Sequence, residues 1–220
     1  MPKLELINIE KTFQGNNKLN HKDAFILSDI NLKIEDGEFI SLLGPSGCGK
    51  TTLLKLMTGL IKPDKGKILE DDKDITNITV EKRNYAMVAQ QPLLFPNMNL
   101  LDNICFGLKM KKINKLKRIA EAMDMIYKLK LNGLEKRHPS QLSGGQCQRG
   151  AIARALVVKP KVLFMDEAFN ALDEELRLEM ANLIRDYHKN NNLTTILVTH
   201  DKNEANYLSD RIINMRNSSL

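Results

Sequence analysis

The sequence predicts an α/β protein built on a mostly parallel β-sheet with helices on both faces. From residue 39 onward, apolar runs of strand length alternate with helical segments, which is typical of parallel strands joined by crossover helices. Two segments before residue 39 predict an antiparallel hairpin, and residues 91–142 show helical periodicity alone. We therefore expect a body formed by residues 1–90 and 151–220, with a small helical lobe inserted at residues 91–150.

Each element has a local signal. Alternation or an apolar run predicts the strands, and the Asp36-Gly37 turn precedes a strand predicted to be buried by its apolar run and its length, at 39–43. The strands are expected at residues 4–9, 25–34, 39–43, 67–69, 85–88, 161–165, 194–198 and 211–215, with a polar loop at 14–23. The helices of the body are expected at residues 50–60, ending near Pro63, and at 145–158, 174–190 and 203–209. In the lobe, the apolar residues that recur at helical spacing are Ile113, Leu116, Ala120, Met123 and Tyr127.

Composition narrows the class of protein. The 220 residues suit one large domain or two closely packed lobes, and 42% hydrophobic with 27% charged residues is an ordinary globular balance. No apolar run approaches the roughly 20 residues that span a bilayer, and no apolar signal core begins the chain. We therefore expect a cytoplasmic protein whose membrane role, if any, comes through a partner. The net charge of +6 would suit nucleic acid, but the chain has no Trp and no stacking platform, so no nucleic-acid partner is expected.

A glycine-rich loop follows the strand at 39–43. Its sequence is Gly44-Pro45-Ser46-Gly47-Cys48-Gly49-Lys50-Thr51, followed by Thr52. This is a G-x-x-x-x-G-K-[ST] phosphate-binding loop in the strand–loop–helix context that such a loop requires. Its glycines let the backbone approach phosphates, and the helix N-terminus adds positive potential. Lys50 is expected to reach the β- and γ-phosphates and Thr51 to bind Mg²⁺, whereas the alternative is a glycine-rich turn without a ligand.

Two further motifs carry charge or anion-binding groups. The apolar strand at 161–165 is followed by Asp166 and Glu167, and a buried strand has no reason to finish in adjacent carboxylates unless charge is needed there. Alone, this pair would fit a charge cluster at a helix N-terminus. Ser143 is a plausible cap for a helix whose first residues, Gly144 and Gly145, expose N–H groups. That helix start predicts a second anion site, whereas the alternative is a simple glycine-capped helix.

Taken together, these motifs resemble those of one family, the ATPase subunits of ABC transporters. The strings that carry the resemblance are the phosphate loop, Leu142-Ser143-Gly144-Gly145-Gln146, Met165-Asp166-Glu167 and Thr199-His200-Asp201. They occur in the family's order and at about its spacings, and the resemblance covers about residues 4–216. It implies a P-loop NTPase core with an N-terminal antiparallel β subdomain and an inserted helical subdomain.

The resemblance implies a role for each site residue, with ATP and Mg²⁺ as cofactors. Asp166 would hold Mg²⁺, and Glu167 would be the general base, a role that typically contributes about 10²–10⁴-fold. His200 would contact the γ-phosphate and help to hold the attacking water. Gln90 would contact the Mg²⁺ or the water, with Gln91 as a possible misregister. Phe13 would stack on adenine, with core packing as the alternative for this residue.

The resemblance also implies partners. Two chains would pair head to tail, so that the ATP of each chain is bound by residues of the other copy, namely Ser143, Gly144, Gly145, Gln146 and Asp173. The dimer would hydrolyse ATP to drive a separate membrane permease, and indirectly a solute-binding protein, from the inner face of the membrane. Leu94-Phe95-Pro96 and the lead-in at 139–142 look most like the nitrate, sulfonate and taurine uptake branch. The alternatives are an exporter or lipoprotein-release ATPase and, less favoured, a non-transport ATP switch of the same fold.

Some features depart from the family pattern or stand outside it. Residues 170–173 match the stretch that, in the family, communicates across the dimer interface, but Asn170 replaces its usual Ser. Ala168 replaces the usual Pro after the catalytic Glu, and Gly150 should cost its helix about 1 kcal/mol relative to Ala. These changes put turnover and coupling between subunits in doubt.

Cys48 lies at a helix N-terminus, which predicts a reactive thiol. The basic run at 109–118 is either a solvated helix face or a contact with anionic lipid. The residues expected to form a groove for a permease helix are Leu100, Leu101, Ile104 and Phe106.

Overall fold

The computed structural model describes residues 2–13 and 25–215 of the chain. The strands are β1 Leu4–Phe13, β2 Phe25–Ile34, β3 Phe39–Leu43, β4 Lys65–Glu70, β5 Lys73–Asp74, β6 Tyr85–Val88, β7 Val162–Asp166, β8 Thr194–Thr199 and β9 Arg211–Asn214. The α-helices are α1 Lys50–Thr58, α2 Leu100–Met110, α3 Lys115–Lys128, α4 Gly144–Leu156, α5 Glu174–Asn191 and α6 Lys202–Leu208. The polar loop expected at 14–23 lies outside the described residues.

The strands form two sheets of different character. The larger sheet has the order β6-β7-β8-β3-β9, and all its neighbouring strands are parallel. The smaller sheet has the order β2-β1-β4-β5 and is antiparallel. The predicted parallel sheet and N-terminal hairpin are therefore confirmed. Because the carboxyl ends of parallel strands meet at one edge, the segments that follow β3, β6, β7 and β8 share that edge.

Helices and the second sheet cover both faces of the parallel sheet. Along β7, Val162 and Phe164 pack into one hydrophobic cluster with α1 and the antiparallel sheet. The alternate residues Leu163 and Met165 pack into the other cluster, which contains the lobe helices and α5. Since every residue of β7 is buried, the strand has the near-continuous apolar sequence of a parallel-sheet interior.

Helix α3 forms where the apolar spacing predicted a helix, but the residues that show this spacing do not form its buried face. Leu116 is 80% exposed and Tyr127 is 72% exposed. The helix instead buries Ala122, Met125 and Ile126 in the hydrophobic cluster that contains residues of α2 and α4. Two apolar stripes satisfy the helical period in this segment, and the packing against the neighbouring helices decides which of them faces inward.

Gly150 has a packing role that helix propensity does not reveal. A Cβ at this position would lie 2.8 Å from Leu100 Cδ1 and 3.4 Å from Leu94 Cδ1. The absent side chain lets α4 lie close to α2 and to the segment before it. The propensity cost expected for this glycine is therefore offset by close helix packing.

The helix that follows the phosphate loop is held at its far end by a buried arginine. Helix α1 ends at Thr58, and the guanidinium of Arg83 donates to the Met57 carbonyl in its last turn at 2.8 Å. The same guanidinium donates to Ile75 O at 2.6 Å and to Ile78 O at 3.1 Å. Arg83 thus satisfies the Met57 carbonyl, one of the groups that a helix C-terminus leaves unpaired, and links it to the segment that contains Ile75 and Ile78. Among the described residues, no helix has both the length and the apolar character needed to cross a membrane.

Candidate functional site

The phosphate loop joins β3 to α1 and borders an open cleft. Gly47 has φ +81° and Gly49 has φ +102°, conformations that side-chain-bearing residues rarely adopt. The cleft has a volume of about 520 Å³. It is lined by Ser46, Gly47, Gly49, Lys50, Thr51, Thr52, Gln90 and Glu167. The loop and two residues from other strand ends are therefore brought together as the sequence predicts.

Lys50 is held at the start of the loop. Its ammonium donates to Gly44 O at 2.7 Å and to Pro45 O at 2.8 Å, and the residue is only 5% exposed. An ammonium group has three donors, so one remains for a ligand. The charge is thus fixed beside the backbone N–H groups that open α1.

Two of the three predicted metal ligands, Thr51 and Asp166, are in contact. Thr51 Oγ1 donates to Asp166 Oδ1 at 3.0 Å, which joins the start of α1 to the end of β7. Asp166 is buried, and burial raises the pKa of its carboxyl, while the Thr51 hydroxyl acts in the opposite direction. A hydroxyl and a carboxylate are the hard oxygen donors that Mg²⁺ prefers. Within residues 2–13 and 25–215 no three His, Cys, Asp or Glu side chains cluster as a metal site, so a metal ion here would need further ligands from phosphate and water.

Glu167 lies at the junction of three segments. Its backbone is left-handed, with φ +46°, a costly conformation for a residue with a side chain. Gln90 Nε2 donates to its Oε2 at 2.9 Å and Asn170 Nδ2 donates to the same oxygen at 2.7 Å. His200 Nδ1 lies 3.5 Å from Oε1. Gln90 follows β6, Asn170 follows β7 and His200 follows β8, so the parallel sheet assembles this group.

The structure separates two pairs of alternatives. Gln90, which contacts Glu167, fits the predicted role better than Gln91, which lines a neighbouring groove. Phe13 ends β1 and is 40% exposed, with Lys11 Nζ 5.6 Å from its ring centroid, so core packing does not account for it.

Cys48, in contrast, is 6% exposed and packs in the core beneath the loop. The expectation of a reactive Cys48 thiol is therefore not supported, because this side chain faces away from solvent.

The second anion motif opens α4 as predicted, but outside the cleft. Ser143 Oγ accepts from Gln146 N at 3.2 Å, and Gln146 Oε1 accepts from Ser143 N at 2.9 Å, which forms a capping box. Asp173 caps α5 by accepting from Leu176 N at 2.9 Å. None of the residues expected to act in trans lines the cleft of the same chain. That placement is compatible with their predicted use by a second copy.

Two buried polar residues, Gln148 on α4 and Asn103 on α2, were not predicted from the sequence. Gln148 is fully buried on α4 and donates to Ala89 O at 3.2 Å, which ties the helix to the segment of Gln90. Asn103 is also fully buried and bonds both the N–H and the carbonyl of Phe95, at 2.7 and 3.1 Å. Neither belongs to a short motif. A polar residue within an amphipathic helix signals such a contact only weakly.

A phosphate loop joined to a hydroxyl–carboxylate pair and a second carboxylate is the arrangement of a P-loop nucleotide-binding protein. Comparison with known proteins narrows this class. The family model described as ABC transporter matches residues 27–170. The chain therefore belongs to the ABC transporter family.

Individual relatives agree with this assignment. The chain is 46% identical over 201 residues to the sulfate/thiosulfate import ATP-binding protein CysA 1 of Agrobacterium fabrum, covering 88% of this chain and 57% of the relative. It is 45% identical over 222 residues to the spermidine/putrescine import ATP-binding protein PotA of Haemophilus influenzae, covering 100% of this chain and 57% of the relative. The chain thus spans little more than half the length of these curated relatives. They do not confirm the nitrate, sulfonate and taurine branch.

A solved structure has the same fold. The ATP-binding cassette MJ0796, in a dimeric post-hydrolysis state bound to ADP and Pi, superposes with a TM-score of 0.90 at 30% identity. The superposition covers 99% of this chain and 96% of that cassette. The predicted fold class, an α/β P-loop core with an antiparallel β subdomain and an inserted helical subdomain, is confirmed.

Proposed function

We propose that this chain binds and hydrolyses ATP as the energy-supplying subunit of an ABC importer. The contact between Thr51 and Asp166 beside Glu167 carries this proposal, because it joins metal-binding oxygens to a base at the mouth of a phosphate loop. The cassette bound to ADP and Pi supports a nucleotide as the ligand. The import names of the relatives support uptake as the process.

Each site residue has a proposed task. Lys50 and the N–H groups of the loop bind the phosphates. Thr51, Asp166 and Gln90 would hold Mg²⁺, which would supply positive charge to neutralise the phosphate oxygens. Glu167 takes a proton from the attacking water. His200 contacts the γ-phosphate and helps to hold the attacking water, and Phe13 stacks on the adenine. Positioning and charge neutralisation carry most of the catalysis of phosphoryl transfer, so these side chains need little covalent chemistry.

Two copies of the chain would complete each site. Ser143, Gly144, Gly145 and Gln146 open α4 away from the cleft, and a helix start with free N–H groups is suited to an anion. In the proposed head-to-tail dimer, these residues and Asp173 bind the nucleotide that the second copy holds. The dimeric form of MJ0796 supports such pairing.

The permease would contact a groove beside Gln90, with a solute-binding protein acting on that permease from the other side of the membrane. The groove expected from the sequence needs correction, because Leu100 and Ile104 are fully buried in the core. The observed groove has a volume of about 410 Å³, and Leu60 and Leu93 on its lining are 51% and 65% exposed. Because the lining also includes Gln90 and Asp166, a partner there would lie next to the metal-binding residues.

The division into parts and the transported solute are also proposals. Residues 1–90 and 151–220 form the proposed nucleotide-binding body, and residues 91–150 the helical lobe. The relatives' names favour sulfate, thiosulfate or polyamines over nitrate, sulfonate or taurine as the solute class.

An export ATPase is the second candidate function, because the site chemistry would be the same. The two differ in the membrane partner, which copurification would identify.

The test of this function replaces the proposed base. Glu167→Gln keeps the size of the side chain and one acceptor oxygen for the two amides but removes its basicity, so ATP should still bind while hydrolysis falls by at least about 100-fold. The variant should accumulate as an ATP-bound dimer on size exclusion. Lys50→Ala is the matched control and should lose ATP binding itself. Hydrolysis by Glu167→Gln within a few-fold of the unmodified chain would reject the assigned base.

A further inference from the structure

Asn170 makes the shortest of the contacts that hold Glu167. Its Nδ2 lies 2.7 Å from Glu167 Oε2, compared with 2.9 Å for Gln90 Nε2 on the same oxygen and 3.5 Å for His200 Nδ1 from Oε1. An ionised carboxylate only accepts hydrogen bonds, so both amides must present their NH₂ groups to Oε2. The amides of Asn170 and Gln90 both donate to Oε2 of Glu167, so Oε1 remains on the side of His200.

The local backbone explains how Asn170 reaches this oxygen. Its own N–H donates to the Glu167 carbonyl at 3.3 Å, which closes a turn around the left-handed Glu167 residue. The turn brings the side chains of residues 167 and 170 together at the surface, where Asn170 is exposed and Glu167 is only 16% exposed. A serine hydroxyl lies one bond closer to the backbone than the asparagine amide nitrogen. The usual serine would therefore not make this contact without movement of the backbone.

We propose that Asn170 is a positioning residue of the hydrolytic reaction. It holds Oε2 of Glu167 so that Oε1 is the oxygen that takes the proton of the attacking water. In that step the O–H bond of water breaks and its proton goes to Oε1. The water oxygen forms a bond to the γ-phosphorus as the bond to the bridging oxygen breaks, and ADP and phosphate leave. The inference rests on the proposed ATPase function, because it assigns a task within that reaction.

A second role for Asn170 has to be separated from the first. The next residue, Ala171, lies against α4, since a Cβ at Gly145 would be 3.3 Å from Ala171 O. Asn170 could therefore act through contact with the second copy near the start of α4. Positioning predicts a change in turnover alone, whereas an interface role predicts a loss of dimer formation.

Kinetics test the positioning role. Asn170→Ala and Asn170→Ser should lower kcat by roughly 10- to 100-fold, the fold-change that corresponds to one hydrogen bond to a charged group. The KM for ATP should stay within twofold, because Asn170 does not line the cleft. Asn170→Asp should lower kcat further, since a second carboxylate would face Glu167. Asn190→Ala, which removes an exposed asparagine on α5, is the matched control and should leave both constants unchanged. A kcat for Asn170→Ala within twofold of the unmodified chain would overturn the proposal.

A double-mutant cycle separates positioning from an interface role. With Glu167→Gln already present, Asn170→Ala should not lower the residual hydrolysis further, because the group that it positions has lost its function. The double variant should also form the ATP-bound dimer as well as Glu167→Gln alone. Loss of that dimer would assign Asn170 to the interface and reject the positioning role.

A third measurement reads the contact without turnover. In NMR spectra of the full chain, the side-chain NH₂ resonances of Asn170 should shift when Glu167 is replaced by Ala, while those of Asn190 should not. Unchanged Asn170 resonances would overturn the inference whatever the kinetics. If the unmodified chain hydrolysed no ATP while the resonances shifted as expected, the proposed function would fail and the contact between Asn170 and Glu167 would stand.

Discussion

At the scale of single residues, the site places two carboxylates side by side in different surroundings. Asp166 ends the buried strand β7 and has the Thr51 hydroxyl as its partner, whereas Glu167 turns out of the strand and meets two amides and an imidazole. Burial disfavours the ionised form of the first. The fold therefore keeps a charge at Asp166 at a cost to its own stability, which fits a residue retained for metal binding.

Removing that charge should stabilise the chain without ligands. Burial raises the pKa of Asp166, so its ionised form opposes folding, and this destabilisation develops as the pH rises through the raised folded-state pKa. Asp166→Asn keeps an acceptor for Thr51 and should raise the Tm at pH 7, because its amide carries no charge that burial would desolvate. The gain should shrink toward acid pH, where the unmodified carboxyl becomes protonated.

Thermal unfolding at several pH values, with and without Mg²⁺ and ATP, checks this expectation. Asp186→Asn, at an exposed acid on α5, is the control and should not change the Tm. Asp166→Asn should also lose the extra stabilisation that Mg²⁺ gives to the ATP complex. A lower Tm for Asp166→Asn at pH 7 would contradict the assigned cost of the buried charge.

At the scale of elements, helix α1 links the phosphate loop to the rest of the fold through both of its ends. Its first residue, Lys50, is bound to the loop carbonyls. Its last turn is bound by Arg83, whose three hydrogen bonds connect α1 with the segment between β5 and β6. A buried guanidinium with three carbonyl partners fixes the position of the helix that carries Thr51.

Arg83→Ala should therefore destabilise the chain strongly. It removes all three hydrogen bonds, takes the donor from Met57 O and Ile78 O while Ile75 O keeps the N–H of Ile78, and opens a cavity. We therefore expect a loss of about 3 kcal/mol or more in the free energy of unfolding. Arg83→Lys should lose less, because an ammonium retains part of the hydrogen bonding. Urea unfolding measures both, with Arg137→Ala at an exposed arginine as the control. A loss below about 1 kcal/mol for Arg83→Ala would show that the three bonds do not secure α1.

At the scale of the whole molecule, the exposed apolar side chains beside Gln90 and the basic run at 109–118 offer different contacts. The run is partly committed to the fold, because Lys111 Nζ binds Asn84 Oδ1 at 3.0 Å and Val158 O at 2.8 Å. The groove exposes the apolar side chains of Leu60 and Leu93 between polar and charged lining residues, and it includes the proposed metal-binding residues. We expect the groove to select the permease, because apolar packing discriminates between partners better than a patch of like charges does.

Two surface variants test this expectation in the assembled transporter. Leu93→Asp should prevent copurification with the permease, since it places a charge in the apolar contact, while ATP binding by the chain alone stays intact. Charge reversal at the exposed Lys112 and Lys115 should leave assembly largely unchanged at physiological salt. The opposite outcome, in which only the charge reversal dissolves the complex, would show that electrostatics holds the subunit.

The sequence predicts most of the parallel sheet and the residues around the phosphate loop, because glycine-rich loops, apolar strands and acids at strand ends have local signatures. Phe39–Leu43 and Tyr85–Val88 form strands with the predicted bounds. The inward face of α3 and the contacts of Arg83 and Gln148 depend on which elements meet in space, and no short motif records that. The sequence marks Asn170 as a departure from the family within the predicted interface stretch, but not its contact with Glu167, which arises from a turn in the folded chain.

The most direct test of the proposed shared site mixes two inactive chains. Lys50→Ala disables the phosphate loop of its own chain, and Ser143→Arg blocks the start of α4, so each variant alone should hydrolyse almost no ATP. In a head-to-tail pair of the two, one site carries both changes and the other combines an intact loop with an intact α4. Mixing should therefore restore about a quarter of the unmodified rate per chain, given random pairing and independent sites. Hydrolysis that stays at the background level after mixing, with mixed dimers detected, would contradict a nucleotide site shared between two chains.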